Sequence, residues 1–409
     1  MSAADPSRPA VSFPDALSSR AAWLDPFEWY REMRADSPVR YDADRELWDV
    51  FRYADVKHVL DTDAVFSADP STAGFGDEFA DGEGEPPPVF DSMLFADPPE
   101  HGRLRGVADE FFRPRAISEQ ADRIQELTEG YVDELGSEFD LVSELAYPMP
   151  VDVIAEVLGV PTADRARFKR WSDTLIERPE ATTEGEMEAY QQRQQETQRE
   201  MSEYFAELIE ARRQAPRDDL ISAIIEAEVD GQRLTDRELI GFCTLLLVAG
   251  NITTTNLITN AMRCFTGQPG LLDELRAGET NMSTAIEEAL RYRSPVQALF
   301  RVTSESTELG GREIPAGEGV GAWLGSANRD EHVFDRPAAF VADRQPNQHL
   351  SFGYGTHYCL GAPLARLEAK IALETLLERF ETIEPVEADL QPIRSSFIYG
   401  VEEYPVRVR

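Results

Sequence analysis

The stretch Ser351-Phe352-Gly353-Tyr354-Gly355-Thr356-His357-Tyr358-Cys359-Leu360-Gly361-Ala362 carries the densest chemistry in the chain. Glycines at 353, 355 and 361 permit a tightly turned loop with close backbone approach. The loop runs into a helical pattern over Pro363 to Phe380, with Pro at a first-turn position and apolar Leu364, Leu367, Ile371, Leu376 and Leu377. Cys359 therefore stands just before a helix N-terminus, where unpaired N–H groups and the helix dipole favour a thiolate. A thiolate held in a glycine loop suits a soft metal centre as an axial ligand, tuned by hydrogen bonds to the sulfur. Zinc is a weaker match, because His357 and Cys359 have no second Cys/His pair at ligand spacing. Cys243 and Cys264, on or beside an apolar segment, read instead as small buried hydrophobes.

Working outward, Leu239 to Met262 contains no charged residue, and about 20 such residues suffice to cross a bilayer. Its middle, Ala249-Gly250-Asn251-Ile252-Thr253-Thr254-Thr255-Asn256, is too polar for a lipid-facing helix. The segment reads as a long helix buried on all sides through a large domain. Helical period also marks Ser118 to Leu135, Val151 to Leu158 and Thr284 to Tyr292, while residues 38–53 alternate as a small hairpin. The acidic Gly/Pro-rich run Ser71 to Pro88 and the Glu/Gln-rich run Pro179 to Glu200 read as solvated connections. The expectation is one mainly α domain over 1–409 with minor β structure, a small β region within 38–70, and residues 1–20 as a flexible N-terminal arm.

Composition narrows the function. With 40 basic against 76 acidic side chains, the net charge is −36, which excludes a nucleic-acid-binding surface as the main role. The apolar share of 42 % still supports a large core. Lys57, Lys169 and Lys370 are the only lysines; so carboxylate-rich a surface suits concentrated salt, where the Debye length falls to about 3 Å. Unfolding at low salt separates this halophilic reading from an ordinary acidic protein. Three cysteines cannot build a disulfide framework, and the N-terminus lacks the basic and apolar regions of a secretory signal. The expected compartment is the cytoplasm, with no membrane anchor.

The pattern Phe352-x-x-Gly355-x-His357-x-Cys359-x-Gly361 resembles the haem-binding signature of the cytochrome P-450 family, the haem-thiolate monooxygenases. Three further motifs stand in the family's order: Glu288-x-x-Arg291, Arg344 as third member of a Glu-Arg-Arg network, and Ala249-Gly250-Asn251-Ile252-Thr253-Thr254 as the oxygen-binding stretch of the long central helix. The resemblance runs from about residue 20 to the C-terminus and is closest to the soluble bacterial and archaeal type. It implies haem b, with Cys359 as iron ligand, and a structural network of Glu288, Arg291 and Arg344 bracing the cysteine loop. His101, Arg105, Arg301 and His357 are implied as propionate partners, whereas Arg103 is expected at the surface. Ala249, Gly250, Asn251 and Thr253 would line the oxygen side, with Phe352 and Gly361 beside the cysteine.

One departure matters. The family generally places Asp or Glu immediately before the threonine, and this chain has Ile252; Asn251 with ordered water is a candidate substitute. The implied reaction is hydroxylation of a hydrophobic small molecule by O2. Electrons come from a separate ferredoxin and its reductase, since the chain has no Gly-x-Gly-x-x-Gly opening a βαβ unit and too few cysteines for a cluster. A monomer is expected. The alternatives are a peroxide-driven peroxygenase, ranked lower because Thr253 is retained, and a haem-thiolate sensor or carrier without turnover.

Overall fold

Thr235 fixes where the central helix begins. Its side chain accepts from Glu238 N at 3.3 Å while Glu238 Oε2 accepts from Thr235 N at 2.6 Å, a reciprocal cap that satisfies two orphan donors. From there the central helix runs Asp236–Thr266 without interruption. The computed structural model describes residues 13–73, 87–176, 184–229, 231–393 and 395–409. They form two compact units, each assembled from separated stretches: the first from 1–86, 287–359 and 391–400, the second from 87–286, 360–390 and 401–409.

In the second unit the central helix is packed by helices Pro148–Leu158, Arg165–Ile176, Glu184–Gln214 and Ala362–Arg379. Leu239, Phe242, Leu247, Ile258 and Phe265 are buried along its length, each contributing roughly 1.5–3 kcal/mol. Its polar middle is tolerated because the side chains fold back on their own helix. Thr255 Oγ1 donates to Asn251 O at 3.0 Å, Asn256 Nδ2 to Ile252 O at 2.8 Å, and Thr259 Oγ1 to Thr255 O at 2.9 Å. The helix is long and apolar enough to cross a membrane by length and composition, but 67 % of its most apolar window is buried in protein. Gly241 meets the turn Pro88–Asp91 so closely that a Cβ would lie 2.2 Å from Pro88 O. A three-stranded antiparallel sheet closes the unit, with β10 (Pro405–Val408) between β4 (Glu138–Asp140) and β9 (Ile383–Pro385).

The first unit contains the β region. Strands β1 (Val39–Asp42) and β2 (Leu47–Val50) make the expected hairpin, its turn held by Asp42 Oδ1 accepting from the amides of Asp44 and Arg45. The sheet continues in the order β1-β2-β8-β5-β3, through β8 (Gly319–Ala322), β5 (Leu299–Thr303) and β3 (Phe66–Ser67); β6 (Thr307–Leu309) and β7 (Arg312–Ile314) form a separate hairpin. Val39, Val50, Val56, Phe66, Leu309 and Val320 make one core cluster, and Trp23, Tyr30, Phe51, Trp323 and Tyr399 a second, aromatic one.

Two expectations need revision. Residues 1–12 of the proposed arm, and 74–86 of the acidic run, lie outside the described residues, but 13–20 is no arm: Asp15–Leu17 is a 3-10 turn whose Leu17 is buried, and Phe13 packs edge-on to Trp23 at 5.0 Å. The Glu/Gln-rich run is not a connection either; from Glu184 it is the first half of a 31-residue helix ending at Gln214. Its exposed Gln and Glu side chains are good helix formers, and loop composition was the wrong inference from them. Its far end is anchored by buried Arg212, which donates to Asp219 Oδ2 at 2.5 Å and Gly159 O at 2.6 Å.

Candidate active site

The cysteine loop is shaped by backbone. Gly353 and Gly355 adopt φ of +74° and +70°, which disfavour any side chain, and a Cβ on Gly355 would lie 2.8 Å from Leu60 O. Gly353 N donates to Leu350 O, and Cys359 N to Phe352 O, both at 2.8 Å, so the loop closes on itself around the 3-10 turn Gly355–His357. Cys359 is exposed, whereas Cys243 and Cys264 are buried. Burial pushes the Cys243 thiol well above its ordinary range, leaving it inert.

The loop is braced from beneath. Glu288 and Arg291, on helix Met282–Tyr292, are both fully buried and bond bidentately, Nε to Oε2 and Nη2 to Oε1 at 2.8 Å. Arg344 Nε donates to the same Glu288 Oε2 at 2.9 Å, and Val341 N to Oε1 at 2.8 Å. Arg291 Nη1 then donates to Asn328 O at 2.9 Å. Asn328, which the sequence reading did not single out, carries the connection onward: its Oδ1 accepts from Leu350 N at 2.7 Å and its Nδ2 donates to Ser351 Oγ at 2.9 Å. Ser351 Oγ donates in turn to Leu290 O at 2.7 Å. The ion network thus reaches the first residues of the cysteine loop through one buried amide, with every donor of Arg291 used. In the same unit, buried Arg301 lies on β5, donating to Phe300 O at 2.8 Å, and His357 sits in the 3-10 turn.

In the second unit, His101 and Arg105 lie on helix Glu100–Gly106; His101 is buried and Arg105 pairs with Asp109 at 3.2 Å. Arg103 is not a surface residue. It bonds Glu100 and the capping-box Glu238, tying this helix to the start of the central helix. Sequence spacing showed only its Glu100 partner, because Glu238 is remote in the chain.

On the central helix, burial breaks at Val248–Gly250 and at Thr253, and Ala249 is exposed in mid-helix. A Cβ on Gly250 would meet nothing nearer than Ile154 at 3.8 Å. Thr253 Oγ1 donates back to Ala249 O at 2.7 Å. Ile252 is buried, and the Asn251 amide is committed to Ser172 Oγ at 2.6 Å.

Glu368 was also missed, although it interrupts the apolar face set by Leu364 and Ile371. It is fully buried, and desolvation raises its pKa well above 4.5 despite a hydrogen bond with Thr254. A carboxyl whose folded pKa is raised stabilises the fold fully below its unfolded pKa and loses that contribution as pH rises toward the folded value. Glu368→Gln is therefore expected to flatten the fall in stability as pH rises above the ordinary carboxylate range, read by denaturant unfolding of mutant and parent. Parallel stability curves would refute a protonated Glu368.

An accessible thiol in a braced glycine loop suits a haem iron, and a surface opened at Ala249 and Gly250 beside a threonine hydroxyl suits a flat macrocycle that binds oxygen. The class defined is a haem-thiolate oxygenase. The family model for cytochrome P450 matches residues 280–407. The putative cytochrome P450 YjiB of Bacillus subtilis is 44 % identical, covering 94 % of each chain. The erythromycin C-12 hydroxylase of Saccharopolyspora erythraea is 38 % identical over 95 % of each. The crystal structure of CYP109E1 from Bacillus megaterium with testosterone superposes with a TM-score of 0.87 at 40 % identity, covering 95 % of this chain and 99 % of that one. The chain belongs to the cytochrome P450 family. It is a monooxygenase whose cofactor is haem b, and it hydroxylates hydrophobic small molecules.

Proposed function

We propose that Cys359 supplies the thiolate to iron, that His101, Arg105, Arg301 and His357 hold the propionates, and that Thr253 delivers protons. Bound haem supplies O2 activation with two electrons and oxygen insertion into a C–H bond. The protein's own part is to hold the thiolate, exclude water and move protons. Thr253 Oγ1, on the less buried stretch of the central helix around Ala249, carries this reading, because it is a hydroxyl that can take a proton from water and hand it on. The side chain before it is an alkyl group, so the proton arrives through solvent at Oγ1 itself.

A neutral polycyclic molecule of steroid size is the substrate class we favour, supported by the likeness to the testosterone-bound structure. Electrons come from a separate ferredoxin system, for which Arg113, Arg115, Arg366 and Lys370 offer cations in an otherwise acidic chain. We read the chain as one domain, since it passes repeatedly between its two units. The acidic composition supports a salt-adapted protein working in the cytoplasm.

The test compares Thr253→Ala with the parent, using testosterone and either a ferredoxin, its reductase and O2, or peroxide alone. Product from the reductive route is expected to fall about 10²-fold, while the peroxide route is unchanged. Equal reductive rates in mutant and parent would exclude Thr253 as the proton donor. A parent that turns over only with peroxide would favour the peroxygenase reading.

A further inference from the structure

One buried polar contact in the second unit is unused by the reaction as described. Asn251 Nδ2 donates to Ser172 Oγ at 2.6 Å, and both residues are completely buried. Asn251 Oδ1, equally buried, has no hydrogen-bond partner among the described residues. Ser172 belongs to helix Arg165–Ile176, whose C-terminal end borders the segment 177–183 outside the described residues. Asn251 follows Gly250 directly and precedes Thr253 by two positions, so it lies in the same turn of the central helix as both.

The rest of helix Arg165–Ile176 is held by aromatic packing, Phe168 against Tyr204 and Phe205 and Trp171 against Tyr204, and by polar bonds: Arg165 to Asp152 at 3.1 Å and to Glu156 at 2.7 Å, Tyr147 Oη to Lys169 O at 3.2 Å, Gln194 Nε2 to Thr174 O, and Trp171 Nε1 to Glu200 at 3.0 Å. The aromatic contacts are weakly directional and tolerate sliding, while the Arg165 ion pairs act at the first turn of the helix. A hydrogen bond between two dry groups is directional and fixes register.

We propose that Asn251 is a positioning residue: through Ser172 it sets the seating of helix Arg165–Ile176 on the central helix at the turn that carries Gly250 and Thr253. Its amide is thereby engaged in holding the helix pair, not in replacing the acid absent at position 252. This deepens the oxygenase reading, on which its relevance to turnover rests, but its test does not depend on turnover.

Hydrogen exchange followed by mass spectrometry, on the full chain with and without haem, compares the parent, Ser172→Ala and Ser172→Thr. Losing the bond in Ser172→Ala is expected to speed exchange about tenfold in residues 165–172 and 249–253, leaving helix Ala362–Arg379 unchanged. Ser172→Thr keeps the hydroxyl and should restore the parent rates. The proposal is overturned if Ser172→Ala exchanges like the parent, if exchange rises equally in all helices, or if Ser172→Thr behaves like Ser172→Ala. Failure of the Thr253 experiment with these exchange results intact would remove the proton-delivery role and leave the positioning role.

Discussion

Arg291→Ala is expected to lose roughly 3–5 kcal/mol and to yield little folded, haem-loaded protein. That figure is a large share of the roughly 5–15 kcal/mol that holds an ordinary domain together. The effect is large because Arg291 is wholly buried and serves two structures at once. It neutralises Glu288 through two bonds of 2.8 Å, and it binds the carbonyls of Asn328 and Pro337 at 2.9 Å and Ala339 at 2.8 Å. Truncation takes the Arg291 donor from those three carbonyls, of which Ala339 O keeps a 3.4 Å bond from Arg344, and leaves Glu288 with Arg344 as its remaining charge partner. Arg291→Lys should rescue only in part, since an ammonium keeps the charge but cannot match a planar fork to five partners. Thermal unfolding and the ratio of haem to protein measure both effects. A soluble Arg291→Ala protein with parental stability and haem content would show that the network does not brace the cysteine loop.

How much of this was legible beforehand depended on whether the partner groups were close in sequence. The central helix was readable because its uncharged run is unbroken. The Glu288–Arg291 pair was readable because an i, i+3 spacing puts both groups on one helix face. Asn328 was not: its partners at Leu350 and Ser351 are brought to it by the fold, and no local pattern announces an amide that links an ion network to a loop. Arg103 illustrates the same limit, its surface assignment failing because Glu238 arrives from another element. Glu368 could have been found, because a carboxylate on an apolar helix face is a conflict between pattern and residue that invites a reason. The helix Glu184–Gln214 was misread for a different cause: exposed on most of its first half, it lacks the apolar stripe by which surface helices are recognised.

The second large effect concerns the sulfur. Cys359 is accessible and held by a backbone bond from its own amide to Phe352 O, in a loop that tolerates little change at Gly353 and Gly355. Serine preserves the size and the loop but presents a hydroxyl, far less acidic than a thiol and a poorer donor to iron. Cys359→Ser should therefore fold, keep the Glu288–Arg291–Arg344 network, and lose hydroxylation to background. The same change at Cys243, where the thiol is buried and held protonated, should leave activity near the parental level.

The most direct measurement is the absorption spectrum of the reduced, carbon monoxide-bound protein, recorded for the parent and for Cys359→Ser. The parent is expected to show the long-wavelength band of a thiolate-ligated haem, and the variant to lose it. An unchanged spectrum in Cys359→Ser, or a parent chain that takes up no porphyrin when supplied with it, would contradict ligation through this residue.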